Sequence, residues 1–122
     1  MVKKQKKEER IMSDCLFCKI IAREIPTEII YENDQVLAFR DINPKAPVHL
    51  LIVPKKHYDT LNDIPDNEME IIAEIHRAVK HLAHEYGVAE SGYRTLVNTN
   101  KEGGQVVFHV HYHLIGGRQL PV

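Results

Sequence analysis

The alternation of apolar and polar positions divides the chain into strands and two helices. Ile29, Ile30 and Tyr31, a turn-like Glu32-Asn33-Asp34 and the run 35–42 predict a β-hairpin. Asn43-Pro44-Lys45-Ala46-Pro47 reads as a loop. Residues 48–53 are an apolar run of strand length that carries His49 and stops at Pro54. Residues 66–86 predict one long helix, because Ile71, Ile72, Ile75, Val79, Leu82, Ala83 and Tyr86 recur at helical spacing. Asn67 with Glu70 resembles a capping box, and Gly87 is a plausible stop. A shorter helix is expected over 15–23, with Leu16, Phe17, Ile20 and Ile21 on its apolar side, broken by Ile25-Pro26-Thr27. Residues 93–99 predict a further strand.

The last apolar run, 106–115, is β-branched and aromatic and predicts a strand that ends at Gly116-Gly117. Side chains alternate faces along a strand, so His109, His111 and His113 share one face. Val110, Tyr112 and Leu114 share the other and look like core. Three histidines on one face are costly to bury without partners. They fit a surface patch, a His-x-His metal site, or acid–base and nucleophilic chemistry by neutral imidazole. Gly103-Gly104-Gln105 stands just before them. Glycines permit close backbone approach, and such loops can aim several amides at an anion. An anion loop running into a histidine strand suggests phosphate chemistry.

Few helices and several strands on short connections predict an α+β fold, with an antiparallel sheet covered on one side. The 122 residues suffice for one domain with a proper core. The net charge of −1 argues against a nucleic-acid binder with a broad basic surface but leaves a mononucleotide ligand open. No apolar run has membrane-spanning length, and no apolar core follows the charged N-terminus. A cytoplasmic protein without nucleic-acid or membrane partners is expected. Residues 1–12 have no apolar face and are expected to be a disordered tail; Lys3, Lys4, Lys6 and Lys7 read as solvated, or as a basic arm. Lys6 to Arg10 would be encoded by purine-rich codons just upstream of Met12. That is the form of a translated ribosome-binding site, so Met12 is the expected native start and the domain is taken as 13–122.

Cys15 and Cys18 form a Cys-x-x-Cys pair. A structural disulfide does not suit a reducing compartment, and the βαβ setting of a thioredoxin-like motif is absent. Half a zinc site is the better reading, provided two more ligands exist elsewhere. His76, His81 and His84 lie on the long helix without the i, i+4 spacing of helical zinc sites, and read as solvated or half-buried.

His109-Val110-His111-Tyr112-His113-Leu114-Ile115 matches the His-x-His-x-His-x-x signature of the histidine-triad (HIT) superfamily, in which x is hydrophobic. Phe17-Cys18-Lys19-Ile20-Ile21, Leu37-Ala38-Phe39-Arg40-Asp41-Ile42, Ala46-Pro47-Val48-His49, Val53-Pro54-Lys55-Lys56-His57, Gly103-Gly104-Gln105 and Gly116-Gly117-Arg118-Gln119 resemble its Hint branch. The resemblance implies a HIT-like fold: a five-stranded antiparallel meander with one long and one short helix, its sheet extended across a homodimer. It implies a purine nucleotide-binding hydrolase of nucleoside phosphoramidates, with no cofactor needed for chemistry. His111 would be the nucleophile, its other ring nitrogen held by a strand carbonyl. His113 and residues 104–107 (Gly104, Gln105, Val106, Val107) would hold phosphate oxygens, helped by Asn98. His49 would support the histidine cluster, Asp41 would accept from the ribose hydroxyls, and Phe17, Ile20, Phe39 and Ile42 would line the base pocket. Relatives that carry the Cys-x-x-Cys imply a structural zinc on Cys15, Cys18, His57 and His109. Sister branches imply two alternatives, a dinucleoside polyphosphate hydrolase or nucleotidyl transferase, and a nucleotide-binding regulatory protein is a third. Two features depart from the branch. Val106 stands where a serine is usual near the leaving group, and Pro121-Val122 ends the chain short of the longer tail that some relatives use.

Overall fold

The structure, a computed structural model, describes residues 14–122. The expected disordered tail and the start at Met12 lie outside the described residues. The chain forms α1 (Leu16–Ile21), β1 (Ile29–Glu32), β2 (Val36–Arg40), β3 (Val48–Pro54), α2 (Glu70–Glu85), β4 (Tyr93–Leu96) and β5 (Tyr112–Gly116). Short 3-10 turns occupy Leu61–Asp63, Asp66–Glu68 and Lys101–Gly103.

All strand pairs are antiparallel, and the sheet order is β1-β2-β3-β5-β4. The expected meander therefore holds for the first three strands only. β5 returns to pair with β3, which leaves β4 on the edge and brings the histidine segment beside the middle of the sheet.

Alternation along the central strands sorts side chains onto two buried faces, so the sheet is covered on both sides rather than one. On one face Val36, Ala38, Leu50, Ile52, Tyr112 and Leu114 pack with Val110 against Ile71, Ile75, Ala78, Val79, Leu82 and Ala83 of α2. On the other, Leu37, Phe39, Leu51 and Val53 pack against Cys15, Phe17 and Ile20 of the α1 segment. Burial on both faces explains why β2 and β3 read as continuous apolar runs.

The helices differ from expectation at their starts. α2 begins at Glu70; the residues before it form a 3-10 turn after Pro65, and Met69 caps the helix without a side-chain hydrogen bond. The Asn67–Glu70 box is not formed. A capping box occurs instead at Thr60 and Asp63, where the Thr60 amide and hydroxyl both donate to the Asp63 carboxylate, at 3.0 and 2.8 Å. Gly87 ends α2 as expected, with φ +75°. α1 stops at Ile21, where Ala22 is the C-cap and Arg23 turns to φ +64°, ahead of Pro26.

The histidine strand is shorter than its pattern. Its last pair with β3 is Ile52↔Tyr112, and Pro54 ends β3 two residues later. Residues 106–111 therefore lie beyond the sheet's reach and bond elsewhere: the Val110 amide donates to the Tyr58 carbonyl at 2.9 Å. β4 likewise stops at Leu96 instead of continuing to Thr99.

Candidate active site

The register of the sheet assembles the site. Phe39 pairs with Leu51, Leu51 with His113, and His113 with Leu96. These four share a face, and period two extends that face to Asp41, His49, Ile115 and Asn98. All eight line one cleft of about 630 Å³, with Phe17, Ile20, Ile25 and Pro26 forming its apolar wall. His111, just before β5, lines it too, as do Ile42, Gly104, Val106 and Val107 at its edge.

Among the described residues, His111 has the clearest chemical poise. Its Nδ1 lies 2.7 Å from the His109 carbonyl oxygen. A carbonyl only accepts, so Nδ1 carries the proton and Nε2 keeps its lone pair. Burial holds its pKa below the ordinary imidazole value, although the bond to His109 works the other way. Phe17 packs edge-on against the ring, 5.0 Å between centroids, and against Phe39 at 5.4 Å. One aromatic side chain thus braces the His111 ring and walls the cleft.

His49 and His113 sit diagonally across β3 and β5, the spacing at which long side chains on one face meet. The Lys45 amide donates to His49 Nδ1 at 3.0 Å. His49 must then carry its proton on Nε2, which lies 2.9 Å from His113 Nδ1 and 3.3 Å from Asp41 Oδ2. His113 accepts at Nδ1, so its proton is on Nε2. That N–H is buried and has no partner among the described residues, and the side chain lines the cleft. An oriented donor left unmatched inside a cleft suits a ligand oxygen. Burial holds the His49 pKa below its ordinary value. Burial and the neighbouring His111 and His49 rings push His113 down to about 4. Asp41 is fixed as an acceptor, its Oδ1 taking the Asn43 amide at 2.8 Å.

A second cluster lies behind the first. The donor atoms of Cys15, Cys18, His57 and His109 all fall within 4.8 Å of one another. His109 Nδ1 is 3.3 Å from Cys15 Sγ, and His57 Nδ1 is 3.2 Å from Cys18 Sγ. The far nitrogens are committed: His109 Nε2 donates to the Pro54 carbonyl and His57 Nε2 to the Asp59 carboxylate, both at 2.8 Å. Both rings therefore turn lone pairs toward the sulfurs, the orientation that outer partners impose on metal ligands. Burial and the adjacent Cys15 push Cys18 up to about 12, while Cys15, against its burial, is brought down to about 5 by bonds to His109 and His57; a cation between the sulfurs would offset the repulsion of two thiolates. These four residues are close enough to hold a metal ion, and their N₂S₂ chemistry fits one. Asp41, His49 and His113 also lie within 4.8 Å of one another, but the Lys45 amide directs the His49 proton to the nitrogen that a metal would need. That group is a hydrogen-bond chain.

The expected site residues thus fall into two groups, with one exception. Gln105 is buried and does not line the cleft; its amide bonds the backbone around it. Val106 is 86% exposed at the cleft mouth, and Ile42 is 89% exposed. His76, His81 and His84 are exposed on α2, away from both clusters. Sequence reasoning missed Lys45, Pro54 and Asp59. Lys45 and Pro54 act through the backbone, which leaves no mark in side-chain patterns. Asp59 stood two residues after a candidate ligand, a spacing that could have pointed to it.

The hydrogen-bond chain carries a titration consequence. Both His49 and His113 have pKa values below the ordinary 6.5. In the folded protein His113 should stay neutral as pH falls through 6.5 and protonate only near pH 4, and His49 should protonate below the ordinary imidazole value. An unfolded chain takes up protons near 6.5, so stability carried by this pair is full above that pH and declines as pH drops toward 4. NMR titration of the ring signals checks this; a His113 midpoint near 6.5 would contradict the depression by burial and the neighbouring rings.

Comparison with known proteins places this architecture. Residues 22–120 match the HIT domain. The purine nucleoside phosphoramidase of Escherichia coli (strain K12) is 46% identical over 107 residues, covering 88% of this chain and 90% of that protein. Protein HitA of Neisseria gonorrhoeae is 43% identical over 105 residues, covering 86% and 97%. Among solved structures, a HIT family hydrolase from Legionella pneumophila superposes with a TM-score of 0.86 at 52% identity, covering 88% of this chain and 96% of the other. A histidine triad protein from Clostridium difficile gives 0.88 at 52%, covering 90% and 96%. With its triad histidines held on and beside a central strand of the same five-stranded sheet, the chain belongs to the HIT family.

Proposed function

We propose that this protein hydrolyses purine nucleoside phosphoramidates at the α-phosphorus, through a nucleotidyl intermediate on His111. The observation that carries the reading is the 2.7 Å bond from His111 Nδ1 to the His109 carbonyl, which fixes the nucleophilic tautomer on a side chain lining the cleft. The name of the Escherichia coli relative supports the substrate class.

In this reading the purine lies against Phe17, Ile20, Phe39 and Ile42, and Asp41 accepts from the ribose hydroxyls. The α-phosphate meets His113 Nε2–H, Asn98 and the backbone amides of Val106 and Val107, while the Gly104 and Gln105 amides are held inside the loop by the Lys101 and Asn100 carbonyls. His111 Nε2 attacks phosphorus, the P–N bond breaks, and the amine departs with a proton. The imidazolium that forms is eased by the bond its Nδ1–H already makes. His113 and the loop amides stabilise the charge that builds on the phosphate oxygens. Water then attacks phosphorus, which releases the nucleoside monophosphate and restores His111. Val106 has no proton to give the leaving amine, so that proton comes from solvent at the open mouth of the cleft.

Cys15, Cys18, His57 and His109 would hold a structural zinc, which when bound ties α1 to the segment before β5 and takes no part in the chemistry. A homodimer that extends the sheet, and a cytoplasmic location, complete the reading; paired thiols suit a reducing compartment.

The test is turnover of an adenosine phosphoramidate beside a dinucleoside polyphosphate. The wild type should prefer the phosphoramidate and yield AMP, and His111→Ala should lose roughly a thousandfold or more in kcat. Preference for the polyphosphate, or an active His111→Ala, would sink the assignment. In the same assay Val106→Ser should turn over faster, most clearly with a poor leaving amine; no gain would count against the role given to Val106. Elemental analysis should find about one zinc per chain, lost from Cys18→Ser. Metal-free protein with an unchanged melting temperature would remove the zinc proposal.

A further inference from the structure

Gln105 belongs by sequence to the anion loop, yet only 6% of it is exposed and its side chain bonds backbone on every side. Its Nε2 donates to the Asp59 carbonyl at 2.7 Å and to the Val107 carbonyl at 3.1 Å. Its Oε1 accepts from the Asn100 amide at 2.8 Å, while the Gln105 amide donates back to the Asn100 carbonyl at 3.1 Å. Both amide protons and one oxygen lone pair are thereby used. The partners come from three places: the segment after β3, the start of the loop and its end.

Two further features show what these bonds hold. Asn100 has φ +64° and ψ 177°, a conformation that non-glycine residues rarely adopt and that persists only when surrounding structure enforces it. Gln105 grips Asn100 at both its amide and its carbonyl. At the other end, the carbonyl that receives Nε2 belongs to Asp59, whose carboxylate accepts from His57. The loop is therefore joined through one buried side chain to the Cys–His cluster.

We propose that Gln105 is a positioning residue: its side-chain amide braces residues 100–107 and aims the loop amides at the phosphate, without contacting substrate. The consequence for phosphate rests on the function proposed above. Replacing the amide by an apolar chain of similar length leaves Asn100 N–H and two carbonyls without their partner. The loop should loosen while the apolar wall of the cleft stays in place.

The experiment compares wild type with Gln105→Met. Hydrogen exchange of the residue 104–107 amides is read without ligand, then affinity for AMP and for adenosine, then kcat and KM. The brace predicts faster exchange in the ligand-free variant, AMP binding weaker by about tenfold, adenosine binding unchanged, and kcat lower by about 100-fold. Ligand-free exchange equal to wild type would overturn the proposal, since a residue that only touched substrate would leave the empty loop as it was. Faster exchange with unchanged AMP binding and kcat would overturn it as well. Gln105→Glu, which keeps the bond to Asn100 and loses the two donated ones, serves if the methionine variant does not fold. Wild type that hydrolyses no phosphoramidate would count against the functional reading alone, because the exchange measurement still decides whether Gln105 holds the loop.

Discussion

His109 is the residue on which both clusters depend. Its Nε2 is held by the Pro54 carbonyl at the end of β3, its Nδ1 faces the two sulfurs, and its carbonyl fixes the proton of His111. It is fully buried. A ring anchored at one nitrogen cannot turn, so its backbone cannot drift, and the acceptor that sets the His111 tautomer stays in place. A buried histidine with every polar group matched is stable where an unmatched one would be costly. The matching comes from the point where β3 ends and the chain before β5 leaves the sheet.

The two clusters use one residue type in opposite ways, and the difference lies in which ring nitrogen the backbone or an outer carboxylate occupies. At His57 and His109 oxygen acceptors take Nε2, and the free lone pairs converge on thiols. At His49 a backbone amide takes Nδ1, which pushes a proton outward to His113 and toward the cleft. Burial then keeps the His49 and His113 rings neutral at physiological pH. The arrangement separates a thiol-facing histidine from two cleft-facing ones within five residues of chain.

Much of this was legible in the sequence for a physical reason. Period two alone put Phe39 with Asp41, Leu51 with His49, and His111 with His113, and the cleft follows once the strands pair. The core face of Val110, Tyr112 and Leu114 was readable by the same rule. What escaped prediction depends on partners distant in sequence. The strand appeared to run from 106 because Val106, Val107, Phe108 and Val110 are apolar, but a strand needs a neighbour, and Pro54 removes it. The helix start failed because Asn67 follows Pro65 in a tight turn and its side chain does not cap α2. Gln105 stood in the phosphate segment by resemblance, and sequence does not show that its side chain turns inward onto the loop's own backbone. The Lys45 amide was invisible, since every non-proline residue has one.

If His111 attacks phosphorus in the tautomer that His109 imposes, one adenylyl group must pass through its ring. The most direct measurement is the intact mass of the protein after brief mixing with an adenosine phosphoramidate, quenched in denaturant that spares the acid-labile phosphohistidine bond. A nucleophilic His111 predicts a transient rise of one adenylyl group on the wild type and none on His111→Ala. Turnover by the wild type with no adduct at any mixing time short of a full cycle, or an adduct that survives in His111→Ala, would contradict it.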